Sequence, residues 1–115
     1  MESYSLPKSF LLRKPWEYRS VYDKGRRIKG KGLTIIYTPN GRQENRLGIS
    51  VHGIRKATVR NRIKRVIREF FRLHRNFIGP GSDIVFAVRE PFNADSPEMV
   101  SHFIDTIMKD RRSSS

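Results

Sequence analysis

The stretch Lys56–Phe77 has the longest helical pattern in the chain, and it is also the most basic. Its apolar residues recur at i, i+4, i+7, i+8 and i+11, which predicts one buried face formed by Val59, Ile63, Val66, Ile67 and Phe70. Cations line the neighbouring face: Arg60, Lys64, Arg68, Arg72 and Arg75. We expect Thr58 to cap the N-terminus of this helix and Gly79-Pro80-Gly81 to end it.

The positive charge on this helix is far larger than the acids in the same stretch can balance. From Arg55 to Arg75 there are nine Lys/Arg and one acid, Glu69, which is +8 of the chain's formal +13. Like charges at i and i+4 repel and cost helix stability, and an ordinary solvated helix interleaves glutamates to avoid this cost. A polyanionic partner therefore explains the pattern better than the alternative, an over-charged solvent face.

Length and composition narrow the class of protein. With 115 residues and a pI near 10.9, we expect one domain over residues 1–115, mobile at about 1–7 and 113–115, with a nucleic-acid partner. There is no Cys, and no apolar run approaches the roughly 18 residues of a membrane span. We therefore expect a cytoplasmic protein without membrane contact.

The sequence offers no recognisable catalytic constellation. The acids are few and unpaired, the three histidines have no ligand spacing, and a lone histidine such as His52 at a strand end is more often structural than a general base. We expect no catalytic residue, no protein metal site and no small-molecule substrate.

The remaining segments predict a mixed fold of order α-β-β-α-β-α. Pro15 to about Lys24 reads as a helix, and Pro97 opens a last helix capped by Ser96. Strands are expected at 33–38, 46–52 and 83–88, the first two as an antiparallel hairpin, with an extra strand possible near 27–31 or 50–53. This order indicates an α+β class, as an α/β two-layer sandwich.

Two segments have alternative interpretations. Tyr18 and Tyr22 share a helix face, where they are either ordinary core or flat surfaces for stacking bases. The basic segment 26–32 either contacts phosphate or is a solvated loop.

The string Arg60-Asn61-Arg62-Ile63-Lys64-Arg65 resembles the RNR motif of the bacterial ribonuclease P protein subunit. That family binds a large catalytic RNA and assists removal of 5′ leaders from precursor tRNAs, with Mg²⁺ acting through the RNA. The resemblance implies ribonuclease P RNA and precursor tRNA as partners. It implies RNA-binding roles for Arg60, Asn61, Arg62, Lys64, Arg65, Arg68 and Arg72. It also implies a leader-binding cleft that contains Tyr18, Tyr22, Tyr37 and Arg89, although strand parity leaves a core position open for Tyr37.

The resemblance also implies the topology. Family members have an unusual left-handed βαβ crossover in a ribosomal protein S5 domain 2-like fold, whereas the general rule for such crossovers is right-handed. The chain departs from the family at Gly53–Lys56, where Gly53 and Ile54 stand in place of cations. The alternatives are a ribosomal or other structural RNA-binding protein of the same fold, and a DNA-binding module whose basic helix enters the major groove.

Overall fold

The computed structural model describes residues 7–113, and their side chains as far as Lys109. Residues 1–6, 114 and 115, on which most of the expected mobile ends fall, lie outside the described part of the chain. In order, the elements are a 3₁₀ turn Lys8–Phe10, α1 Pro15–Lys24, β1 Arg26–Lys29, β2 Leu33–Pro39, β3 Arg46–His52, α2 Ala57–Leu73, β4 Ser82–Arg89 and α3 Pro97–Ser113. The predicted mixed class and element order are confirmed, and β1 is the extra strand.

The four strands form one sheet in the order β1-β2-β4-β3. β4 is antiparallel to β2 and parallel to β3. The predicted hairpin between β2 and β3 is therefore wrong, because β4 lies between them. β4 is buried on both faces along most of its length, which suits the centre of a sheet.

The connection between β2 and β3 is bonded to the start of β4 rather than closing a hairpin. The Asn40 backbone N–H donates to the Gly81 carbonyl at 2.8 Å, and the Ser82 N–H donates to Asn45 Oδ1 at 2.7 Å. β3 and β4 run parallel, so α2 is the crossover between them. The left-handed sense of that crossover stays a prediction from the resemblance.

The larger part of the core lies between one sheet face and the helices α2 and α3. Four residues of the predicted apolar row of α2 are buried there with Phe71, whereas Val59 is half-buried at the margin. Ile63 and Ile67 are fully inaccessible to solvent. The boundaries of α2 differ from the expectation. Lys56, not Thr58, is its N-cap residue, and the helix ends at Leu73 before the Gly79–Gly81 segment. In α3, the Met99 N–H donates to Ser96 Oγ at 3.3 Å, which confirms the predicted cap.

Helix α1 covers part of the opposite sheet face. A smaller cluster of Leu12, Val21, Ile36 and Val85 is buried there, with Tyr18 and Tyr22 packed at its margin. β2 and β4 alternate, with Ile35 and Phe86 in the larger cluster and Ile36 and Val85 in the smaller one. None of the described helices is long and apolar enough to span a membrane.

The outer edge of β3 is sealed by the N-terminal segment and by α1. The Leu12 N–H donates to the Leu47 carbonyl at 2.8 Å, and the Ile49 N–H donates to the Tyr18 hydroxyl oxygen at 3.3 Å. Unpaired donors and acceptors on an edge strand invite pairing with another chain, and these bonds satisfy two of them.

Arg46 joins α1, β3 and β4 through two carboxylates. Its guanidinium is bidentate to Asp83, with both N···O distances at 2.8 Å, and donates from Nη1 to Glu17 Oε2 at 3.0 Å. The hydrogen bond to Asp83 raises the pKa of Arg46. Glu17 Oε1 also accepts the backbone N–H groups of Arg13 and Lys14 at 2.8 and 3.0 Å. Desolvation opposes ionisation of Glu17, but these donors and Arg46 outweigh it and hold the pKa of Glu17 below its ordinary value.

We predict an acid-sensitive contribution from Glu17 to folding. Because the folded-state pKa of Glu17 lies below 4.5, its ordinary value, its contribution is fully present above pH 4.5 and is lost as the pH falls through the folded pKa. Glu17→Gln is expected to be less stable than the parent at about pH 6, and the difference is expected to narrow at about pH 3. Urea unfolding at both pH values measures this, and a difference that stays constant between them would contradict it.

Candidate nucleic-acid interface

The predicted RNA-binding residues of α2 are not equivalent in the structure. Asn61, Arg65 and Arg68 are exposed, and Lys64 is half-buried. Arg60, Arg62 and Arg72 all have intramolecular partners. The helix therefore presents some cations directly and uses others partly to hold the structure around them.

Arg60 fastens the segment before α2 to the helix. Its Nη1 donates to the carbonyl oxygens of Ile54 and Arg55 at 2.8 and 2.6 Å. Buried Ile54 anchors the same segment in the core. This is the stretch in which the sequence departs from the family it resembles, and Arg60 fixes its path.

Arg62 and Arg72 each lie near an acid. Arg62 Nε is 3.4 Å from Asp95 Oδ1, an ion pair without hydrogen-bond geometry, and Arg62 Nη2 donates weakly to Asn93 Oδ1 at 3.4 Å. Arg72 Nη2 is 2.6 Å from Glu69 Oε2, and this hydrogen bond lowers the pKa of Glu69. The only acid on α2 is thus held by a cation, and it offsets part of the charge at the C-terminal end of the helix.

A groove of about 490 Å³ lies on the sheet face that α1 partly covers. Its floor and rim come from all four strands, and Tyr22 of α1 forms a wall. The lining residues are Tyr22, Arg27, Lys29, Thr34, Ile36, Ser50, His52, Ala87 and Arg89. An aromatic side chain beside several cations is the arrangement that single-stranded nucleic acid requires.

The two tyrosines of α1 occupy different environments. The Arg27 guanidinium carbon lies 5.9 Å from the centroid of the Tyr22 ring, and Arg27 Nη2 donates to the Tyr22 carbonyl at 3.0 Å. Tyr18 instead packs over β3, where a Cβ added to Gly48 would lie 2.8 Å from the ring. Tyr22 is therefore part of the groove, whereas Tyr18 joins α1 to the sheet.

Burial raises the pKa of the Tyr18 hydroxyl, and the charge of Arg68 on α2 acts in the opposite direction. Of the predicted RNA-binding cations of α2, Arg68 is the one whose charge acts on Tyr18 of α1.

Comparison with known proteins decides the family. A family model described as ribonuclease P matches residues 6–111. The ribonuclease P protein component of Desulfotalea psychrophila is 54% identical over 108 residues, which cover 93% of this chain and 90% of that protein. The component from Caldanaerobacter subterraneus is 42% identical over 79 residues, 68% of each chain.

The chain belongs to the ribonuclease P protein family.

Solved structures of the family agree with the fold. The ribonuclease P protein of Staphylococcus aureus is 27% identical and has a TM-score of 0.73, covering 89% of this chain and 94% of that one. The Thermotoga maritima protein is 29% identical with a TM-score of 0.70, covering 86% and 94%. Membership assigns the chain to tRNA 5′-end processing as a protein subunit, and nothing in the comparisons favours the ribosomal alternative.

The structure brings together only part of the expected leader-binding set. Tyr22 and Arg89 line the groove, and Tyr18 lies beside it on the same helix. Tyr37 is on the opposite sheet face, half-buried against the larger core cluster with Leu33 and Ile35. This is the core position that the alternation of β2 leaves open for Tyr37 in the sequence.

Several groove residues were not predicted as site residues. Arg27 and Lys29 flank buried Ile28 on β1, so strand alternation turns both of them away from the core. Ser50 Oγ and His52 Nε2 lie 2.7 Å apart at the end of β3. Strand alternation predicts which face each of these four residues lies on. The order of the strands in the sheet is also needed to show that the four faces form one groove.

We predict that the exposed cations of α2 carry the salt dependence of RNA binding in this family member. Arg65→Ala and Arg68→Ala are each expected to flatten the slope of log K against log[salt] by roughly 0.7–0.9 with unchanged thermal stability, because each phosphate contact releases condensed counterions. Arg42→Ala, in the exposed turn between β2 and β3, is the matched control and should leave the slope unchanged. Arg60→Ala should lower the melting temperature as well, because it removes the hydrogen-bond donor to the carbonyl oxygens of Ile54 and Arg55. A double variant at 65 and 68 with the parental slope would exclude the role.

Proposed function

We propose that this protein binds ribonuclease P RNA through α2 and holds the 5′ leader of precursor tRNA in the groove beside α1. The observation that carries the proposal is the pairing of two different surfaces. A helix with exposed Arg65 and Arg68 suits a phosphate backbone, whereas a groove with Tyr22, Arg27 and Arg89 suits an unpaired strand.

The groove accounts for binding a leader of variable sequence. Every base has a π-face, so stacking on Tyr22 does not depend on base identity. Arg27, Lys29 and Arg89 place positive charge around the groove, where the phosphates of the same strand would run. Together they favour extended single-stranded RNA over a duplex, which hides its bases. Tyr37 has no part in this proposal, because it lies on the other sheet face.

We assign the chemistry to the RNA subunit. Among the described residues there is no group of three His, Asp or Glu side chains placed to hold a metal ion. The proposed Mg²⁺ ions then bind the RNA subunit and the substrate, where they would supply activation of water for phosphodiester hydrolysis. The protein contributes binding affinity for the RNA and positions the leader. We propose that it acts in the cytoplasm.

Reconstitution tests the proposed function directly. Purified protein is added to bacterial ribonuclease P RNA at low Mg²⁺, and cleavage of precursor tRNA at the mature 5′ end is followed. We expect the protein to restore cleavage that the RNA alone performs poorly, since cationic side chains replace part of the metal-ion screening. We expect no cleavage by rigorously RNA-free protein. Cleavage by the protein alone would overturn the assignment of the chemistry, and failure to stimulate the RNA would overturn the subunit role.

The two tyrosines of α1 are predicted to separate in a leader-binding assay. Tyr22→Ala should cost about 1–3 kcal/mol in affinity for leadered precursor tRNA, with a near-parental melt, because the side chain stacks on a base. Tyr18→Ala should mainly lower stability, because Tyr18 packs over Gly48 and accepts the Ile49 N–H. Affinity is measured for precursor tRNA with and without the leader, alongside thermal melts. If Tyr22→Ala lowers the affinity for leadered and leaderless tRNA equally, Tyr22 has a structural role and does not bind the leader.

A further inference from the structure

Trp16 is the most exposed large apolar side chain among the described residues. Its accessible fraction is 62%, ahead of Leu73 at 50% and Met99 at 46%. A buried tryptophan is one of the largest apolar contributions that a small domain can use, and this one is kept outside the core. The chain has no other tryptophan.

The support beneath Trp16 is rigid. Pro15 before it is the first residue of α1, where its ring fixes φ for the helix. Glu17 after it accepts two backbone N–H groups and pairs with Arg46. The indole is therefore displayed from a backbone held on both sides, which reduces the entropy lost when a ligand binds to it.

The surroundings of Trp16 are cationic. Lys14 Nζ lies 5.7 Å from the centroid of the Trp16 ring. Arg13 and Arg19 are both exposed on the same segment, and the nearby acid Glu17 is turned toward Arg46. An accessible indole among cations, with its neighbouring acid already paired, matches the stacking site of a single-stranded RNA base better than a protein contact.

We propose that Trp16, with Lys14 and Arg19, forms a second base-stacking site, which binds leader nucleotides beyond those in the groove. This inference rests on the proposed leader binding and extends it. Trp16 and groove-lining Tyr22 are six residues apart on one helix, about 9 Å along its axis and about 120° around it, so a strand that leaves the groove and crosses α1 reaches Trp16 within a few nucleotides. The leader is the occupant because α1 packs on the sheet face that carries the groove.

The single tryptophan makes the test specific, because fluorescence of the holoenzyme excited at the long-wavelength edge of the indole band, where tyrosine does not absorb, reports on Trp16 alone. Precursor tRNAs with leaders of about 3 and about 12 nucleotides, spanning the range that such surfaces cover, are compared with leaderless tRNA at matched absorbance. We expect quenching with the long leader and little change with the short leader or with leaderless tRNA. Separately, the affinities of the three RNAs are measured by a label on the tRNA.

Variants give a second readout. Trp16→Ala should weaken long-leader binding roughly 5- to 150-fold, the range expected for one stacked base, and leave short-leader binding unchanged. Trp16→Phe should recover part of the loss, whereas Trp16→Leu, apolar but without a π-face, should not. Met99→Ala removes an exposed apolar side chain from α3 and should bind both leaders as the parent does.

Each outcome has a separate meaning. If no leader increases affinity over leaderless tRNA, the proposed function itself fails. If leaders bind but the emission of Trp16 does not change, or Trp16→Leu binds as tightly as the parent, Trp16 is not a stacking site. Quenching by the RNA subunit alone, to the full extent seen with the long leader, would overturn the assignment to the leader.

Discussion

The central position of β4 determines most of what this protein presents to its surroundings. Because β4 pairs in parallel with β3, the chain between them must cross one face of the sheet, and that chain is the basic helix. Because β4 also pairs with β2, Ala87 and Arg89 on its other face join Thr34 and Ile36 to make the floor of the groove. One strand thus separates the basic helix from the groove and fixes both.

Arg46 is the second organising interaction, since it holds α1 to the sheet on the side of the groove. It is about one-seventh exposed, with a side-chain accessibility of 14%, so each ion pair is partly desolvated, and removing Arg46 would take the shared cation from both Glu17 and Asp83. The position of Tyr22 as a wall depends on this attachment and on the Tyr18 contact with β3. The wall of the groove is therefore held in place by polar contacts at one end of α1 and by apolar contacts along the helix.

The sequence predicted what local periodicity determines. The apolar row of α2, the limits of β3 and the cap at Ser96 all follow from residues close together in the chain, and all are present. The strand order did not follow, because pairing of β4 with β2 joins residues far apart in sequence. The hydrogen bonds from Arg60 to backbone carbonyl oxygens could not be predicted either, because they depend on how the segment around Ile54 folds back. The position of Tyr37, by contrast, follows from local strand alternation, which places it with Leu33 and Ile35.

The cations of β1 have a consequence for how copies of this protein behave toward each other. Residues 11–12 and Tyr18 close the β3 edge, and within the described sheet β1 pairs with β2 alone. β1 is only four residues long, and Arg26, Arg27 and Lys29 make three of those four cationic. Short, charged edges resist strand-to-strand joining, so the charge that lines the groove also keeps the protein from polymerising through its sheet before RNA is bound.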